Sequence, residues 1–317
     1  MQPLAEFCAH GGRVAAAARA FGGGDWIDLS TGIAPWAYPQ GDFHLGRLPE
    51  PGELAALEAA AADAFGVADP AQVVAVPGTD LALRLLAVVL GAERPAVVRP
   101  GYVGHAAAWG EARSVAALAD PGDADLLVLA SPANPDGRVT PPEQLRALAG
   151  RMTVVVDEAY ADPAPGLCGA ASDRLVVLRS FGKFYGLPGV RLGFVLAGPR
   201  VAGALRHLLG DWPVSVPAIA IGTAAYRDAG WRAEQLERIE AVGTLLDFAL
   251  SRLERIGTAP LFRLVGTADA HGLFRHLCNH AILTRPFAER GDRLRIGLPR
   301  DGVALARLTH ALSEYPR

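Results

Sequence analysis

The stretch Ser180-Phe-Gly-Lys183-Phe-Tyr-Gly-Leu-Pro-Gly-Val-Arg191-Leu-Gly-Phe decides how this chain is read. It follows Arg174-Leu-Val-Val-Leu178, a short apolar run with the length and composition of a buried strand. A Gly-rich turn at the end of such a strand brings backbone amides, the Ser180 hydroxyl and the Arg191 guanidinium within reach of one phosphate, with Lys183 at the sheet edge. A lone lysine near glycines is more commonly a solvated loop residue, so the reading depends on the rest of the chain.

Working outward, Gly52-Glu-Leu-Ala-Ala-Leu-Glu-Ala-Ala-Ala-Ala-Asp-Ala-Phe-Gly66 reads as a helix stopped by a glycine, followed by the strand-like Gln72-Val-Val-Ala-Val76. Strands and helices then alternate. Val/Leu-rich runs at 96–99, 125–130, 153–156, 174–178 and 191–196 are apolar on both faces, as in a mostly parallel sheet covered by helices. The expected architecture is α/β, with a large domain over residues 45–210 built on that sheet. A smaller α/β domain is expected over 211–317, with a long helix over 231–256 and short strands over 261–265 and 293–296. Residues 1–44 are expected to return to this smaller domain.

Composition narrows the function. The chain has 317 residues, is 51% hydrophobic and 20% charged, and carries a net charge of −3 with no long basic run. That excludes the footprint of a nucleic-acid binder. Cys8, Cys168 and Cys278 are too scattered for a disulfide framework or a metal knuckle, so no metal is expected. No apolar run reaches membrane-spanning length, and the first twenty residues hold acid, histidine and glycines where a secretory signal needs an apolar centre. A cytoplasmic protein acting on small molecules is expected.

Lys183 fits the imine-forming lysine of a pyridoxal 5'-phosphate enzyme, and the other needs of that cofactor each find a candidate after a predicted strand. Gly78-Thr79-Asp80, opening a helix, offers amides to the phosphate. Asp157, ending Val154-Val-Val-Asp157, can keep the pyridine nitrogen protonated. Asn134, in Asn134-Pro-Asp-Gly137, and Tyr160 are candidate donors to the ring hydroxyl oxygen. Tyr102 is the candidate aromatic plate over the ring, and Arg295 a fork for the substrate carboxylate. Taken singly, these residues are more commonly a helix cap, an ordinary turn, half-buried packing and a solvated strand arginine, and Asp157 reads equally as the cap of the next helix.

Their order and separation carry more weight. Together the motifs resemble those of the fold type I aminotransferases, the class I/II or aspartate aminotransferase superfamily, over nearly the whole chain. Within it the chain is similar to the histidinol-phosphate aminotransferase branch, and most to the threonine-phosphate decarboxylases of cobalamin biosynthesis. That closer resemblance lies in His10-Gly-Gly, Trp26-Ile-Asp-Leu-Ser-Thr-Gly-Ile-Ala-Pro35, Trp212-Pro-Val-Ser215, and Ile282-Leu-Thr-Arg-Pro-Phe287 with Leu294-Arg-Ile-Gly-Leu-Pro299.

The resemblance implies a homodimer with both active sites at the subunit interface. It also implies an N-terminal segment over the active site, with His10, Arg13 and Arg285 holding a substrate phosphate and Gly32 among the substrate contacts. The implied reaction is loss of carbon dioxide from L-threonine O-3-phosphate, a phosphorylated amino acid, to give (R)-1-aminopropan-2-ol O-2-phosphate. The alternative is an aminotransferase acting on histidinol phosphate with 2-oxoglutarate. A non-catalytic regulator is disfavoured because no basic recognition helix precedes the core. Two departures stand out: Gly32 and Ala34 occupy positions where the related pattern often has asparagine, and Arg47-Leu48-Pro49 lies where the branch often has a tyrosine reaching the neighbouring cofactor phosphate.

Overall fold

A computed structural model describes residues 4–116, 118 and 121–316. The chain forms two compact units: a larger one of Ala37–Asn134 with Arg138–Glu234, and a smaller one of the residues up to Trp36, Pro135–Gly137 and Gln235–Arg317.

The larger unit is built on seven strands: β1 (Val73–Val76), β2 (Pro95–Val98), β3 (Arg113–Val115), β4 (Leu126–Ala130), β5 (Thr153–Asp157), β6 (Leu175–Ser180) and β7 (Gly193–Leu196). They lie in the order β1-β7-β6-β5-β4-β2-β3. All neighbours are parallel except those of β7, which is antiparallel to both β1 and β6. The physical reason lies in the connection. Residues 181–192 hold one turn of helix and one 3-10 turn, with no crossover helix to carry the chain back to the other end of the sheet.

The strand interiors are apolar on both faces because helices cover both sides. On one face Val74, Val97, Val128, Val155, Val176 and Val195 meet Leu83, Leu86 and Leu205 from the helices Thr79–Leu90 and Pro199–Leu209. The helix Pro51–Phe65 starts in a Glu50/Glu53 capping box with a proline in its first turn and ends on left-handed Gly66. It packs along the helix Val216–Arg227, where a Cβ on Gly222 would fall 2.8 Å from Leu57 and 2.6 Å from Leu192. That helix buries Val216, Ile219 and Ile221, which keeps the larger unit together past residue 210, as far as Glu234.

The smaller unit has an antiparallel four-stranded sheet, in the order Arg285–Pro286, Arg293–Gly297, Phe262–Gly266, Glu254–Ala259. Ile27–Asp28 pairs in parallel with Ile282–Leu283, joining the N-terminal segment to this unit. The long helix stops at Ala249, short of the expected residue 256, and Glu254–Ala259 is a strand. Those six residues are charged at one end, but pairing along Phe262–Gly266 outweighs their local preference. Among the described residues no helix is long and apolar enough to cross a membrane.

Candidate active site

Strand register brings the expected residues of the larger unit to one edge. Val76 lies opposite Gly193, Gly193 opposite Ser180, Leu178 opposite Asp157, and Asp157 opposite Ala130. The turn after β1, the entry to β7 and the ends of β6, β5 and β4 therefore share one end of the sheet. Open α/β sheets bind their ligands in the crevice outside the carboxyl ends of the strands.

Gly78, Thr79, Ser180 and Arg191 form an anion cup. Gly78 has φ 89°, and a Cβ there would fall 2.5 Å from Arg191 Nη2, so the guanidinium lies directly on the glycine backbone. Arg191 itself takes the left-handed conformation, with φ 55°, and donates from Nη1 to the Pro188 carbonyl at 3.1 Å. A Cβ on Gly193 would fall 2.9 Å from Thr79 Cγ2, so this glycine lets the start of the helix Thr79–Leu90 sit against β7. The first-turn amides of that helix, the Ser180 hydroxyl and a cation are the donors that a dianionic phosphate requires.

Asp157 is buried, and its Oδ1 accepts the Ala159 amide at 3.0 Å. Its Oδ2 lies 3.0 Å from Nε2 of His105, a fully buried residue that the sequence reading missed. His105 Nδ1 has no hydrogen-bond partner among the described residues, so the proton belongs on Nε2, donated to Asp157. The available signal was spacing, because His105 lies three residues beyond Tyr102, one turn along the helix Val103–Ala108. The two rings meet edge to face, 5.6 Å apart at 86°. The Tyr102 hydroxyl donates to Asp80 Oδ1 at 3.0 Å, and burial together with the Asp80 charge pushes its pKa up to about 12.

Lys183 rides on the one-turn helix Phe181–Phe184, its Nζ 5.7 Å from the centre of the Tyr160 ring. Tyr185 anchors this turn, stacked between Phe181 at 4.5 Å and Trp231 at 5.6 Å. Behind it, fully buried Arg179 pairs with Glu158 at 3.2 Å and with Asp162, and donates to the Ala164 carbonyl at 2.8 Å. Those bonds pin the segment that carries Tyr160. Asn134 stands four residues beyond β4 at the same sheet end.

Lys183 is also the only lysine in the sequence, among 30 lysines and arginines. Arginine serves every other basic position, but its guanidinium stays protonated and cannot act as a nucleophilic amine. A single retained lysine at the strand edge is a second signal that the sequence offered.

The smaller unit gathers a separate set. Arg285 lies opposite Arg295 across neighbouring strands. Arg295 donates to the Ser30 carbonyl at 2.8 Å and lies over the Phe262 ring, and Arg285 donates to the Ala9 carbonyl at 2.7 Å. Ser30 Oγ accepts the Gly12 amide at 2.8 Å, and a Cβ on Gly11 would fall 2.5 Å from the Ser30 carbonyl oxygen. The His10-Gly-Gly segment thus lies against Ser30, two residues before the buried Gly32. His10 is exposed, and Arg13 pairs with Glu6 at 3.6 Å.

The anion cup, the buried carboxylate and the lysine amine fit pyridoxal phosphate. The Arg191 guanidinium lies against the Gly78 backbone at the start of a helix, and Asp157 is held by the Ala159 amide and His105. Known proteins agree. The chain is 38% identical to the threonine-phosphate decarboxylase of Pseudomonas aeruginosa, over 96% of each chain. It is 28% identical to the histidinol-phosphate aminotransferase of Stenotrophomonas maltophilia, over 85% of each. Its fold matches the crystal structure of the histidinol-phosphate aminotransferase from Sinorhizobium meliloti in complex with pyridoxal-5'-phosphate, with a TM-score of 0.81 and 24% identity, covering 99% of this chain and 96% of that one. Residues 44–312 match aminotransferase class I and II, and the chain belongs to that family.

Proposed function

We propose that this protein is a pyridoxal-phosphate-dependent decarboxylase that converts L-threonine O-3-phosphate to (R)-1-aminopropan-2-ol O-2-phosphate for cobalamin synthesis, working as a cytoplasmic homodimer. For the chemistry, the observation that carries this is the sole lysine at the sheet edge that also holds Asp157 and the anion cup. For the substrate, it is the 38% identity to a threonine-phosphate decarboxylase over almost the full length of both chains.

When bound, the cofactor supplies a sink for the electron pair left on the substrate α carbon. The chain does the rest. Gly78, Thr79, Ser180 and Arg191 would hold the cofactor phosphate, and Asn134 and Tyr160 would donate toward the ring oxygen. Asp157, fixed by His105, would set its carboxylate beside the pyridine nitrogen and favour the protonated ring. Tyr102 would cover one face of the ring. The Lys183 amine anchors the cofactor and afterwards returns a proton to the α carbon. Arg295 takes the substrate carboxylate, and Arg285, His10 and Arg13 take its phosphate.

Orientation selects the bond that breaks. Which bond to the α carbon breaks would depend on how Arg295 orients the substrate carboxylate, one orientation favouring loss of carbon dioxide and the other loss of the α proton and transamination. The similarity to a histidinol-phosphate aminotransferase supports that second reading. Mass spectrometry of the products from L-threonine O-3-phosphate separates the two. Aminopropanol phosphate formed without 2-oxoglutarate is the expected result. A keto acid formed only with 2-oxoglutarate identifies an aminotransferase.

A further inference from the structure

Asp80 sits in the first turn of the helix Thr79–Leu90, beside the amides assigned to the cofactor phosphate. A carboxylate suits a free helix N-terminus but repels a phosphate bound there. Its side chain is committed elsewhere: Oδ1 accepts the Tyr102 hydroxyl at 3.0 Å, and Oδ2 lies 3.4 Å from Arg84 Nη2. The Tyr102 ring also meets His105 edge to face, and His105 holds Asp157. Gly104 makes this arrangement possible. A Cβ there would overlap Tyr102 Cε1 and fall 2.8 Å from Asp80 Oδ1, so ring and carboxylate fill the space that a side chain at 104 would need.

We infer that Asp80 is a positioning residue: by accepting the Tyr102 hydroxyl it fixes the plane of the aromatic plate against the cofactor ring, in a slot that Gly104 keeps open. The inference rests on the pyridoxal-phosphate reading above. The raised Tyr102 pKa agrees with it, since a protonated hydroxyl is what Asp80 can accept from.

The two possible roles of Asp80 differ in sign. Acting only as a charge near the phosphate, Asp80 weakens cofactor binding, and its removal tightens it. Acting through Tyr102, its removal loosens binding. The experiment is reconstitution of the apoprotein with pyridoxal phosphate, reading the dissociation constant from fluorescence quenching and the plate geometry from the visible circular dichroism of the bound cofactor.

Asp80→Ala and Tyr102→Phe are each expected to weaken binding about tenfold, as for loss of a hydrogen bond to a charged group, and to alter the dichroism. The double variant is expected to be no weaker than either single one, to within about twofold. Asp80→Asn keeps an acceptor oxygen without the charge and should recover most of the loss, which also serves if Asp80→Ala fails to fold. Tighter binding by Asp80→Ala, or additive losses of about a hundredfold in the double variant, would overturn the inference. Failure of the unaltered protein to take up pyridoxal phosphate would instead overturn the cofactor reading.

Discussion

At the scale of single residues, the site depends on one amine and one carboxylate. Lys183→Ala should leave the fold intact, since the turn is held by Phe181 and Tyr185, but remove turnover and the visible absorbance of a covalently attached cofactor. Absorption spectroscopy and the product assay check this together. His105→Phe should keep the absorbance but lower kcat by roughly ten- to a hundredfold, the usual loss when a buried carboxylate forfeits a charged hydrogen bond of about 1.5–3 kcal/mol. An unchanged kcat in steady-state kinetics would remove His105 from the account. Tyr102 gives a pH dependence. Its folded-state pKa is raised from 10.0 to about 12, so the stability it contributes is complete below pH 10 and lost as pH rises toward 12. Denaturant unfolding across that window should therefore fall more steeply for the unaltered protein than for Tyr102→Phe.

At the scale of elements, the legible features were those that sequence distance leaves intact. Apolar runs marked β1, β2 and β4 to β7 because burial on both faces leaves few polar positions, and glycines at 66 and 78 marked the end of one helix and the start of the next. The antiparallel β7 was not legible, because strand direction follows from what residues 181–192 lack. The expected helix ran into the first three residues of the strand Glu254–Ala259, because pairing with Phe262–Gly266 decides their state. Asp157 and Tyr102 could be picked out individually, whereas His105 and the side-chain role of Asp80 emerge only when the turn after β2 packs against neighbouring strand ends. Gly78→Ala belongs to this scale: its Cβ would meet the movable end of Arg191, and its φ of 89° adds strain of about 1–3 kcal/mol. Pyridoxal-phosphate affinity, measured by titration of the apoprotein, should fall tenfold or more while the protein still folds.

At the scale of the whole molecule, the proposed site residues fall in two units. The larger one presents the lysine, the anion cup and the Asp157–His105 pair at one sheet edge, and the smaller one sets Arg285, Arg295 and the His10-Gly-Gly segment around Ser30. In a chain of 317 residues the one lysine stands at this sheet edge, and an arginine there could not act as a nucleophilic amine. The central claim is that this amine carries the cofactor. The direct measurement is borohydride reduction of the protein loaded with pyridoxal phosphate, followed by peptide mass spectrometry. One reduced cofactor per chain on the peptide containing Lys183 is the predicted result, and no adduct, or an adduct only at the chain's terminal amine, would contradict it.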